Sequence, residues 1–475
     1  MKSTFFLIVS LLSVSISAQT TCNNGLADIY PCSGFDLQSH FTLEELGGGV
    51  KGSDCWGWTD ENSEREFILY CRSTGLSFVE ITDPINPVFT AMLPASGLES
   101  TWRDVKVLGD YAYVVSMASD HGLQIIELTQ LLSISTFPTV LDETAHYSGF
   151  SYAHNFVINE QTHYGYAVDT DGGGLLILDL EYPTSPVLVG SYDAATTHDA
   201  QSVVYHGPDL DYLGSEIVFC FNGDNVLIIN ADDKSDLEVL SDITDSTSWY
   251  IHQGSVSEDH RMLYYNDELD EIYGGQNTRT YMADITDLNN PIIVGYYDYG
   301  TESIDHNLYV HNEKVYASNN SSGLRVSNIL ENGAIEPYGF FDTYPLDDAP
   351  DFLGAWSNYP FFLSKNIAVS NRDGLFILRA SEHYIGINEP ITNSVTLGLS
   401  PNPATSSVRL SGEFTKCDII ILDIRGREIL RVNSVLNTNG LHLDVTSLID
   451  GAYCLSIVDS KTGVVKTTER LIISN

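Results

Sequence analysis

Basic residues are scarce: 22 Lys and Arg stand against 64 Asp and Glu in 475 residues, a formal charge of −42. A surface so acidic repels nucleic acid and anionic lipid, and neither is expected as a partner. Long apolar runs are missing too. The one at the N-terminus, Phe5 to Val14, is too short to span a bilayer, and no later run is longer, so no transmembrane helix is expected. No C-x-x-C pair offers a zinc ribbon or a thioredoxin-like centre. Gly-x-Ser-x-Gly, His-Glu-x-x-His, Walker and dinucleotide motifs are all lacking, which removes the chemistries most readable from local sequence. Helical periodicity is nearly absent, so the fold class is all-β.

What is present begins with an export signal over residues 1–18. Lys2 supplies the positive end, Phe5 to Val14 the apolar stretch, and Ile16-Ser17-Ala18 a small-residue cleavage site before Gln19. Seven cysteines suit an exported, oxidised chain. Cys22 and Cys32 flank a short Gly- and Pro-containing segment and are expected to form a local disulfide. The pairing of Cys55, Cys71, Cys417 and Cys454 stays open, and Cys220, inside Ile217–Phe221, reads as a buried thiol.

Three phrases recur. The first is an imidazole, a small polar residue and an alternating apolar run, at His154-Asn155-Phe156, His198-Asp199-Ala200, His252-Gln253-Gly254 and His306-Asn307-Leu308, with Trp102-Arg103-Asp104 as a variant. The second is Gly-Leu followed by apolar alternation, as at Gly75-Leu76, Gly122-Leu123, Gly174-Leu175, Gly323-Leu324 and Gly374-Leu375, with degenerate copies at Asn225-Val226 and Thr280-Tyr281. The third is an Asp/Asn-Pro turn, as in Asp83-Pro84-Ile85-Asn86-Pro87, whose closing Pro starts an edge strand. Each unit thus reads as four short strands, and such units of about 40–50 residues form β-propeller blades. Seven blades are expected, starting near Asp54, Trp102, His154, His198, His252, His306 and Gly354. The seventh lacks an outer strand after Leu378, and Phe35–Leu43 is a spare strand before the first, so the N-terminus is expected to close the ring. The propeller is assigned to residues 19–380, a polar linker to 381–397, and a small Ig-like β-sandwich to 398–475.

Two resemblances follow from these residues. Ser400-Pro401-Asn402-Pro403, Leu422-Asp423-Ile424-Arg425-Gly426-Arg427, Asp450-Gly451-Ala452-Tyr453 and Arg470-Leu471-Ile472-Ile473 resemble the type A sorting domain of the type IX secretion system. That resemblance implies the secretion machinery as a partner, and delivery to the cell surface or beyond. The propeller resembles the choice-of-anchor B family built on LVIVD-type repeats. It does so through Trp56-Gly57-Trp58-Thr59-Asp60, Trp102–Lys106, His198–Gln201, Asn266–Glu271, Asp305–Tyr309 and Gly354–Ser357. This second resemblance implies a fold and carries little about activity.

In a propeller the first residues of each inner strand face one mouth of the central channel. A ligand funnel is therefore expected from Trp56, Trp58, Arg103, Asp104, Asp199, Gln253, Asp305, Asn307 and Trp356. Composition alone would place four His among seven equivalent positions on the order of one time in ten thousand or less. Two readings compete for His154, His198, His252 and His306. They order the turns of their own blades as donors and acceptors, or they bind a transition metal, iron or copper. His in only part of the ring argues for a pocket over an even structural repeat. Asp169, Asp171, Asp267 and Asp270, in acid- and Gly-rich loops, are candidate calcium ligands. The function expected is a secreted or surface-anchored binding module for an unidentified extracellular ligand. The alternative is a metal-dependent oxidase or hydrolase using the same funnel, and a purely structural envelope or adhesion component is the third reading.

Overall fold

Continuously apolar runs such as Tyr111-Ala112-Tyr113-Val114-Val115 place apolar side chains on both faces of a strand, so each sheet needs a neighbour on either side. A computed structural model shows how that need is met. It describes residues 19–171, 173–245, 247–381, 398–411, 414–422, 428–436, 441–446, 448–449, 451–459 and 465–474. The stretch expected to be an export signal (1–18), nearly all of the expected linker (382–397), Gly172, Asp423–Arg427 and Asp450 lie outside the described residues.

The larger unit contains seven sheets, each built outward from one inner strand. The inner strands are Gly52–Asp60, Arg103–Leu108, Asn155–Asn159, Asp199–Val204, Ile251–Val256, Leu308–His311 and Ala355–Tyr359. Seven hydrophobic clusters lie between consecutive sheets. Leu69, Cys71 and Phe78 of the first sheet pack against Val105 and Val114 of the second. Ile68, Tyr70 and Val79, the alternate residues of the same strands, pack against Ala368, Leu375 and Ile377 of the seventh. The ring is thus closed by core, and the fold is a β-propeller. Cys55 and Cys71 sit on neighbouring strands but in different clusters, both buried as free thiols. Cys220 is likewise a buried free thiol.

Hydrogen-bonded closure comes from the N-terminus. Phe35–Thr42 pairs antiparallel with Gly374–Ala380 as the outer strand of the seventh sheet. Just before it, Cys22 and Cys32 form a disulfide, and Tyr30–Ser33 extends the sixth sheet. Ser381, assigned by sequence to the linker, follows the last strand of this sheet and is bonded to the N-terminal segment. Its amide donates to the Gly34 carbonyl at 2.9 Å and its hydroxyl to Asp36 at 2.6 Å.

The smaller unit has two sheets around one core. Val408, Leu410 and Leu443 from a three-stranded sheet meet Ile419, Ile421, Leu455 and Ile457 from a four-stranded one. The Ser-Pro-Asn-Pro phrase has a local task here: the Asn402 side chain accepts from the Ile472 amide at 2.8 Å and ties the entry strand to the last one.

Candidate functional site

The inner strands of neighbouring sheets make no ladder with one another, so their backbone groups near the axis need side-chain partners. Three parallel bonds show how these are supplied. Ser53 donates to the carbonyl of Arg103 at 3.1 Å, His198 Nδ1 to that of His252 at 3.2 Å, and His306 Nδ1 to that of Trp356 at 2.7 Å. The ring position carries Ser53, Arg103, His154, His198, His252, His306 and Trp356, and at Ser53, His198 and His306 it bridges one sheet to the next. A hydroxyl serves as well as an imidazole. The uneven spread of His therefore does not separate a pocket from a structural repeat, contrary to the argument from sequence.

Five aromatic rings form a fan at this level. Ring centroids are 4.3 Å apart for His154 and His198, 4.5 Å for His198 and His252, 4.3 Å for His252 and His306, and 4.1 Å for His306 and Trp356. Successive planes turn by 45°, 46°, 49° and 44°, near the about 51° of one step in a seven-membered ring. Burial holds the imidazoles neutral. It lowers His154 to about 4 and His306 to about 3, and takes His198 and His252 well below the ordinary range.

One carboxylate faces two of them. Glu268, on the turn after Met262–Asp267, places Oε1 3.7 Å from His252 Nε2 and 3.4 Å from His306 Nε2. Among the described residues, these three side chains gather their ligand atoms within 4.8 Å of one another. Burial raises the Glu268 carboxyl to about 8, and nearby Arg372, itself 4.2 Å over the Trp356 ring, opposes the shift.

One residue further along, side chains again reach across to the next sheet. Asp104 accepts from the Phe156 amide at 2.7 Å, and Gln253 accepts from the Leu308 amide at 2.8 Å. Asp104 also binds the Lys106 ammonium, which lies 3.2 Å from Asp54. Burial disfavours the Lys106 charge, yet Asp104 and Asp54 outweigh it and hold its pKa well above normal. Burial pushes Asp54 and Asp199 up to about 7 each.

Three residues past the ring position come Trp56, Lys106, Val157, Gln201, Ser255, Tyr309 and Tyr359, one per sheet. All seven line a single axial cavity of about 400 Å³, with Phe361, Glu160, Asp199 and Gln253. Its aromatic side is a cluster on Trp56: Tyr359 lies 5.1 Å, Tyr309 5.7 Å and Phe361 6.1 Å away between ring centres. The Lys106 ammonium stands 4.7 Å over the same indole.

The expected funnel residues separate on this frame. Trp56, Asp199 and Gln253 line the cavity, Asp104 anchors Lys106, and Trp356 belongs to the fan. Trp58 does not reach the axis; two residues along its strand, it is 3% exposed and packs on Phe67 at 5.4 Å between the first two sheets. Arg103 turns away as well, its guanidinium 2.8 Å from His121 Nε2 and bonded to the Leu98 carbonyl. Asp305 and Asn307 are buried outside the cavity lining, and the Asp305 amide donates to Glu271 at 3.3 Å.

Of the calcium candidates, Asp267 and Asp270 lie close enough that, after burial, the charge of Asp267 raises the pKa of Asp270. Asp267 spends its carboxylate on three backbone amides, Trp249 at 2.6 Å, Tyr250 at 2.7 Å and Leu269 at 3.3 Å. Asp270 accepts from the Tyr281 hydroxyl at 2.7 Å, and Asp171 from the Ser151 amide at 3.2 Å. Asp169 occupies a left-handed turn with φ of 45°. The sequence reading missed Lys106, Tyr309, Tyr359, Glu160 and Phe361 as lining residues, and Glu268 as the group facing the imidazoles. The signal for the first three was their fixed offset from the ring position.

A family profile described as the LVIVD repeat matches residues 101–128 and 161–194, and one described as a secretion system C-terminal sorting domain matches 399–474. No curated protein matches the sequence. Among solved structures, a Lactobacillus plantarum protein is similar with a TM-score of 0.47 and 13% identity, covering 83% of this chain and 99% of its own. The Cps50 (Swd1) β-propeller domain of Myceliophteria thermophila gives 0.46 and 10%, covering 73% and 99%. PorZ of Porphyromonas gingivalis, described as a surface component of its type IX secretion system, gives 0.42 and 12%, and the match covers 93% of this chain and 58% of PorZ. The sorting domain implies export by type IX secretion to the cell surface or outside. No helix among the described residues is long and apolar enough to cross a membrane.

Proposed function

We propose that this chain is an exported propeller that binds a small extracellular ligand in the axial cavity, a sugar ring or a group of similar chemistry. The observation that carries this reading is the lining itself, to which every sheet contributes the same register position. A volume of about 400 Å³ falls within the about 300–1,000 Å³ usual for ligand pockets. Aromatic faces on one side suit the C–H face of a sugar. Gln201, Ser255, Asp199 and Glu160 offer hydrogen-bonding groups for its hydroxyls. Residues 1–18 serve as the export signal in this reading, and the LVIVD stretches support a propeller of choice-of-anchor B type.

A panel of mono- and oligosaccharides screened by thermal shift on the full chain tests it. At least one should raise Tm, and Trp56→Ala should weaken that ligand about tenfold, or 1.4 kcal/mol. No shift across the panel, or equal binding by Trp56→Ala, would overturn the assignment. A metal-dependent enzyme remains the second reading, favoured by one observation only, the meeting of Glu268 with His252 and His306.

A further inference from the structure

Glu268 Oε1 faces His252 Nε2 at 3.7 Å and His306 Nε2 at 3.4 Å, beyond the about 2.7–3.2 Å of N–H···O hydrogen bonds. His306 Nε2 is buried and has no hydrogen-bond partner. Its ring proton sits on Nδ1, because Nδ1 meets a carbonyl, that of Trp356, at 2.7 Å. Nε2 therefore presents a lone pair to a Glu268 oxygen too distant for a hydrogen bond, and with Glu268 ionised two electron-rich atoms face one another. Such a pair is stable with a cation in the middle. Arms of about 2.0–2.1 Å at a tetrahedral ion set ligand atoms roughly 3.3–3.4 Å apart, against 3.4 and 3.7 Å here.

We propose that His252, Glu268 and His306 bind one first-row divalent transition metal, zinc or iron(II), with a coordination position left free of protein. Two nitrogens and one carboxylate select these ions over calcium, which takes oxygen ligands. For His306 the second layer is in place, because the Trp356 carbonyl fixes its tautomer. His252 Nδ1 has no hydrogen-bond partner among the described residues, and its strand is held by the bond from His198 to the His252 carbonyl. The ring of four imidazoles is thereby divided by role. His252 and His306 bind the ion, while His154 and His198 pack and orient. The site uses none of the aromatic cavity wall, so it stands apart from the cavity reading.

The test is titration of metal-free full chain with Zn²⁺ against a competing chelator, with Co²⁺ as a spectroscopic probe. One equivalent should bind, and Co²⁺ should develop visible d–d absorption. Glu268→Gln, which preserves shape, and His306→Ala should each weaken Zn²⁺ by more than about 100-fold, beyond what loss of a second-layer contact gives. Trp56→Ala should bind Zn²⁺ as the parent does even if it loses a cavity ligand. Circular dichroism of metal-free Glu268→Gln checks that the fold is intact. Absence of a stoichiometric site in the parent, or equal affinity in Glu268→Gln, would overturn the proposal.

Discussion

Tyr70 donates its buried hydroxyl to the Asn371 carbonyl at 2.9 Å, joining residues 301 positions apart. The bond crosses the interface between the first and seventh sheets, where the ring closes. Gly52 fits beneath it because a Cβ there would lie 1.8 Å from the Tyr70 oxygen and 2.6 Å from the Asn371 oxygen. Tyr70→Phe should cost about 0.5–1.5 kcal/mol, one buried hydrogen bond, read as a lower denaturation midpoint at unchanged slope. Gly52→Ala should cost more, since side chain and carbonyl must both move. If Gly52→Ala is neutral, the closure is looser than described.

The repeat made most of this fold legible. Five Gly-Leu phrases and two degenerate copies, with their turns, place the strands, and the spare strand at Phe35–Leu43 foretells which element pairs with Gly374–Ala380. The site was less legible, for a physical reason. Sequence shows which residues open each inner strand, but not where each side chain finds its best partner. Arg103 occupies a ring position and yet turns to His121, because a buried guanidinium needs acceptors. Glu268 lies in an irregular turn with no counterpart in the other sheets, so no periodicity could mark it.

Asp267 illustrates the same limit and gives the second prediction. It looked like a calcium ligand, but its two oxygens hold the Trp249–Tyr250 and Leu269 amides. Asp267→Ala leaves those donors without their acceptor and should destabilise the chain by about 1–3 kcal/mol. Added Ca²⁺ should restore none of it. A calcium-dependent rise in Tm that vanishes in this variant would return Asp267 to the role of ligand.

Stability should fall as pH rises from about 7 to 9, above the range in which the imidazoles held neutral by burial make it rise. Burial raises Asp54 and Asp199 to about 7 and Glu271 to about 9. Lys106 opposes the shift at Asp54 and Asp104 adds to it, while Asp270 and Asp267 add to that at Glu271. Each group keeps its proton in the folded chain at a pH where the unfolded chain has released it. Folding then binds protons, and its stability is lost as pH climbs through the folded values. The formal charge of −42 acts in the same direction. Melting temperatures at fixed ionic strength would check this, and a flat or rising profile over that window would contradict it.

The last prediction separates the two tasks of the imidazole fan. His198 Nδ1 donates to the His252 carbonyl at 3.2 Å, as Ser53 does to Arg103. What this position needs is a donor at the right height, and Asn places its amide nitrogen close to where Nδ1 stood. His198→Asn should therefore keep more of the stability than His198→Leu, which should lose about 1 kcal/mol with the bond and more if the carbonyl is left dry. Neither change removes a metal ligand, so Zn²⁺ should still bind one to one in both, weakened by no more than the about 10–100-fold that loss of a supporting contact costs. If His198→Leu instead abolishes Zn²⁺ binding while its fold remains intact, His198 is itself a ligand and the division within the fan is wrong. If Asn and Leu destabilise equally, ring packing between His154 and His252, not the donated proton, is what His198 supplies.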